Sequence, residues 1–67
     1  MDNLKKACNS NNSVLLCKYG NYFIQIRQWD NEGYIIRDFT LFETSNFHYA
    51  IDYYNKLVYE NQLKEIY

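Results

Sequence analysis

The sequence predicts an α+β domain: a three-stranded antiparallel meander followed by one amphipathic helix packed on one sheet face. Three observations predict it. Two turn signals, Gly20-Asn21 and Asp30-Asn31-Glu32-Gly33, separate stretches rich in aromatic and β-branched residues. From Phe47 onward, apolar residues recur at steps of three and four. The chain of 67 residues has no proline and two glycines, which fits one small domain and no linker.

Each element follows in order. Residues 1–13 are polar and Asn-rich, and read as an arm. Asp2 to Cys8 has the composition for one or two helical turns, and Asn9-Ser10-Asn11-Asn12-Ser13 favours a loop, because these side chains compete for backbone hydrogen bonds. The meander spans 14–42. Val14 to Tyr19 is the first strand, and Gly20-Asn21 supplies a hairpin turn that tolerates positive φ. Tyr22 to Trp29 is the second strand. The third runs from Tyr34 to about Phe42, after a turn in which Gly33 takes the left-handed conformation. The helix occupies 44–67. Its regular part runs from about Ser45 to Glu60, and Leu63 and Ile66 add a last turn. Phe47, Ala50, Ile51, Tyr54, Leu57 and Val58 share one face. Thr44, Ser45 and Asn46 each qualify as its N-cap, and Glu43 suits the dipole at that end.

Charge and composition narrow the function classes. Lys plus Arg is 7 and Asp plus Glu is 8, a net charge of −1, which weighs against a strongly basic nucleic-acid module. The longest apolar run, Val14 to Cys17, is far too short to cross a bilayer. Cys8 and Cys17 are too few for a disulfide scaffold. With His48 as the single histidine, their spacing fits no common zinc pattern, so no metal or cofactor is expected. The expected location is the cytoplasm of a bacterial host, with reduced thiols. The abundance of Asn, Ile, Lys and Tyr suggests an AT-rich coding genome, such as that of a low-GC bacterium, its phage or another mobile element.

Candidate catalytic groups do not assemble into a mechanism. His48 and Asp52 stand four apart on the helix, but no nucleophile or oxyanion site accompanies them. Tyr49, Tyr53 and Tyr59 fall off the apolar stripe and are expected at its edge or exposed. Cys17 reads as a small core residue and Cys8 as accessible. No phosphate loop or paired-carboxylate motif occurs, so the chain is expected not to be an enzyme.

The alternation of side chains carries the functional reading. In the second strand, Tyr22, Ile24 and Ile26 share one side with Gln28, and this set should face the helix. Phe23, Gln25, Arg27 and Trp29 then share the open side, and Ile35 and Arg37 join them from the third strand. Phe39 and Leu41 run out of phase with Ile36: either a bulge near Asp38 lets both halves feed the core, or Phe39 and Leu41 face the open side. One helix covers one face. The other takes a partner, a second copy of the chain, or the chain's own arm or tail. Aromatic residues and arginines suit an interface.

Tyr22 to Ile36, followed by a capped amphipathic helix, resembles the layout of small phage anti-CRISPR proteins of the type II-A class. That resemblance implies a protein without catalytic activity that binds a CRISPR effector. Phe42-Glu43-Thr44 before a helix containing Ala50 resembles the sheet-to-helix junction of AP2 and integrase arm-type DNA-binding domains. This second resemblance implies a sheet face laid in the major groove, with Arg27, Trp29 and Arg37 as the reading residues.

The expectation is therefore a non-enzymatic phage or mobile-element protein that binds and sterically inhibits a host defence protein complex, with a CRISPR effector nuclease as the partner that the first resemblance implies. Its expected contact residues are Phe23, Arg27, Trp29, Ile35 and Arg37, with Asp30 and Glu32 at the turn. The alternatives are a DNA-binding module using the same face and a homodimeric regulatory protein.

Overall fold

The computed structural model describes residues 2–66. Five strands and one helix follow in the order β1 (Asp2–Cys8), β2 (Asn12–Tyr19), β3 (Asn21–Trp29), β4 (Ile35–Thr44), α1 (Phe47–Glu60) and β5 (Lys64–Glu65). They form one antiparallel sheet in the spatial order β4-β3-β2-β1-β5, with the helix on one face. The α+β class, the meander and the helix are as expected, but the sheet has five strands instead of three.

Both extra strands come from segments expected to be something else. The polar arm is β1, not a segment of one or two helical turns. The Asn-rich stretch builds the turn that folds it back: the Asn9 side-chain oxygen accepts from the backbone N–H of Asn11 and of Asn12, each at 2.8 Å. Local hydrogen bonds from an asparagine replace ladder bonds at such a turn. Pairing then runs from Cys8↔Ser13 to Asp2↔Lys18, with a bulge at Leu4. Ala7 becomes fully buried. The C-terminal segment is likewise β5, not a last helical turn. It pairs with β1 through Ala7↔Glu65 and Cys8↔Lys64. Tyr67, the end of the expected helical turn, lies outside the described residues.

The β2–β3 hairpin turns at Gly20, whose φ of 71° suits a residue without Cβ, between the paired Tyr19 and Asn21. The β3–β4 turn is held by Asp30. Its carboxylate accepts from the N–H of Glu32 at 2.9 Å and of Tyr34 at 3.0 Å, and Gly33 takes a φ of 92°. Strand β4 contains two bulges, one at Ile36 and one at Leu41, and not the one expected near Asp38.

Asn46 caps α1, its side-chain oxygen accepting from the N–H of His48 at 2.9 Å and of Tyr49 at 3.2 Å. Glu43, expected to serve that helix end, instead belongs to β4 and accepts from the Asn21 side chain at 2.9 Å. The helix buries Ala50 and Tyr54 against Val14, Leu16 and Ile24 of the sheet, with Ala7 and Leu63 closing the same cluster. Aromatic pairs close the end nearest the cap. Tyr22 meets Phe47 at 5.3 Å between ring centroids, and Phe42 stacks on Tyr53 at 4.7 Å. Cys17 is fully buried, as expected of a small apolar side chain, yet it stands outside this cluster. It pairs with Phe23 and so belongs to the face away from the helix.

Candidate interaction surface

The face away from the helix is built by the alternate residues of β3. Because Ile24 is in the core and Tyr22 and Ile26 pack against it, Phe23, Gln25, Arg27 and Trp29 must point the other way. Their cross-strand partners extend the surface. Phe23 stands between Cys17 and Glu43, Gln25 between Leu15 and Thr40, and Arg27 between Ser13 and Asp38. Trp29 is paired with Ile35, which is 57% exposed.

The geometry has an apolar end and a charged middle. At the hairpin end, Trp29 and Ile35 sit beside the exposed Tyr34 and Ile36. The main chain there is firm: Trp29 N–H donates to the Asn11 carbonyl at 3.0 Å, and the Asn11 side chain donates to the Trp29 carbonyl at 3.0 Å. In the middle, Arg27 forms an ion pair with Asp38 at 3.0 Å. Both side chains are about half exposed, so this pair orients the guanidinium and adds little to stability. A shallow depression of about 110 Å³ lies there, lined by Lys6, Leu15, Gln25, Arg27 and Asp38 among others. Burial pushes the Cys17 thiol up from its ordinary pKa, which makes it a poor nucleophile at neutral pH.

The expected contact residues are therefore partly assembled. Phe23, Arg27, Trp29 and Ile35 share the open face. Arg37 does not. The bulge at Ile36 shifts the phase of β4, so Arg37 pairs with Gln28 and lines a groove on the helix side with Val14, Ile26 and Leu57. Asp30 is engaged in holding the turn, and Glu32 is exposed within it. Sequence reasoning missed Lys6 and Leu15, because β1 was not read as a strand and Leu15 was not assigned a face.

The helix surface carries less. Tyr53 is packed, while Tyr49 and Tyr59 are 65% and 85% exposed. Among the described residues no helix is long and apolar enough to cross a membrane, and no group of His, Cys, Asp or Glu is placed to hold a metal ion. Compared with known proteins, the chain matches no family model, no curated protein and no solved structure.

Proposed function

We propose that this chain acts by binding, as a small non-enzymatic protein of a phage or mobile element that occludes a host defence complex through its open sheet face. The observation that carries the reading is the Trp29–Ile35 pair, an aromatic and an aliphatic side chain displayed together on a braced hairpin beside Arg27. Large apolar groups next to an arginine on a rigid strand lose little entropy on docking. The choice of a CRISPR effector nuclease as partner comes from the architectural resemblance, whereas the surface supports the mode of contact.

The DNA-binding alternative called for Arg27, Trp29 and Arg37 on one face. Arg37 is on the other, and Arg27 is tied to Asp38. That leaves too little unpaired positive charge on the open face for a phosphate backbone.

The test uses a purified type II-A effector. Near-stoichiometric addition of the chain should abolish target cleavage. Trp29→Ala should weaken the complex by about thirtyfold, the loss typical of a central interface aromatic. Circular dichroism confirms that the variant is folded. Absence of both binding and inhibition by the unmodified chain would sink the inhibitor reading.

A further inference from the structure

We propose a second binding site, on the helix side of β4, that takes an extended peptide segment carrying an apolar side chain and a carboxylate at alternate positions. It goes beyond the function proposed above and uses a different surface.

Three features of the fold converge there. First, β4 is an edge strand of the sheet, and among the described residues nothing pairs with its outer edge. An edge strand with free N–H and C=O groups is the template for adding a strand from a partner. Second, a groove of about 180 Å³ lies on the helix-side face between the end of α1 and the sheet and reaches this edge strand at Phe39 and Leu41, with Val14, Ile26 and Leu57 among its other walls. A cavity of roughly 150 Å³ accommodates benzene, so an aliphatic or aromatic side chain fits. Phe39 and Leu41 remain 41% and 39% exposed, so the helix leaves this apolar surface incompletely covered. Third, Arg37 lines the same groove, no carboxylate does, and Arg37 makes no ion pair among the described residues. An unpaired guanidinium beside an apolar slot complements an anionic group next to an apolar one.

Strand geometry sets the spacing. Arg37 and Phe39 are two residues apart and face the same side, so a paired peptide presents its matching groups two residues apart. The bulges also choose between occupants. Those at Ile36 and Leu41 confine the regular pairing surface to Arg37 through Thr40. So short a run suits a peptide and disfavours the continuous edge-to-edge sheet of a second copy.

The probes are short, terminally blocked peptides with Leu, Ile, Val or Phe in the middle and Asp or Glu two positions before or after it. Binding is read by fluorescence anisotropy and by backbone amide shifts of the full chain. At least one probe should bind and shift the amides of β4. Replacing its carboxylate by the amide should weaken binding about tenfold, and Arg37→Gln should have the same effect. Trp29→Ala should leave binding unchanged, which separates this site from the open face. No binding by any probe, equal binding of acid and amide forms, or shifts confined to the open face would overturn the proposal. So would a stable dimer that buries β4 in sedimentation and amide-exchange measurements.

Discussion

Tyr54 is the largest fully buried side chain among the described residues, and its hydroxyl meets no partner at full hydrogen-bond geometry there, with the Glu65 carboxylate close enough to act on it. Burying a hydroxyl without a partner costs on the order of 1–3 kcal/mol, so the ring is retained for its volume at a penalty in its polar tip. Lys5 lies 5.7 Å from the ring centroid and pairs with Glu65 at 3.0 Å, which puts charge close to this core residue. Burial, and then the Glu65 carboxylate, raise the Tyr54 pKa above its ordinary value of 10.0. The fold thus favours the neutral phenol. That contribution is whole below pH about 10, and is lost as pH rises from there toward the elevated folded-state pKa. Tyr54→Phe removes the orphan hydroxyl and keeps the ring. The variant should be more stable by about 1 kcal/mol at neutral pH. Its advantage should widen above pH about 10, by up to about 1.4 kcal/mol per pH unit, because the unmodified chain alone loses this contribution. Urea titrations at neutral and alkaline pH check both statements. A less stable variant would mean that the hydroxyl is satisfied in solution.

The helix end shows how an element is closed by its backbone. Gln62 adopts a φ of 54°, the left-handed region. Leu63 N–H donates to the Val58 carbonyl at 2.9 Å, and Gln62 N–H to that of Tyr59 at 3.3 Å. This is the Schellman pattern, and the two residues that flank it, Leu63 in the core cluster and Val58 packed against that cluster, are both apolar. Glycine is the residue that meets such a φ without a Cβ penalty. Gln62→Gly should therefore raise stability by about 0.5–1 kcal/mol, measured as a shift in the urea midpoint at unchanged slope. The helix itself was legible in the sequence, because its apolar period is regular and Asn46 stands at its start. Its end at Glu60 was legible too; what was misread is the segment beyond, expected as a last helical turn, because glutamine does not announce a left-handed turn that sends the chain into β5. Strand β1 was hidden for a different reason. Lys5, Lys6 and the bulge at Leu4 obscure the alternation, and Leu4 to Ala7 reads as helix-forming until it meets β2. The open face followed correctly from β3, whose alternation is unbroken. Arg37 was misplaced because a one-residue bulge flips every side chain beyond it, and Ile36 gives no local sign of one.

At the scale of the molecule, the chain leaves β4 at one edge of the sheet, crosses through α1, and returns as β5 at the other edge. This crossing ties the helix to both edges of the sheet. The tie at the far edge is Leu63, which is buried, followed by Ile66 N–H donating to the Lys6 carbonyl at 2.7 Å. A chain of 67 residues has a total stability of roughly 3–10 kcal/mol. Leu63→Ala should remove about 2–3 kcal/mol of it, the loss expected for a truncated core leucine near a partly yielding edge. The position of Trp29 makes the consequence decidable. Trp29 is at the end of the β3–β4 hairpin, three strands away from β5 in the sheet. If the fold is one cooperative unit, Trp29 fluorescence and the helical circular dichroism signal should lose stability together in Leu63→Ala, with coincident urea transitions. If β5 were only a local strap, tryptophan fluorescence would keep its original midpoint while the helix signal alone moved. Coincidence is the expected result, because Leu63 contacts the same cluster that holds Ile24 of the central strands, and no second core exists among the described residues to hold the hairpin independently.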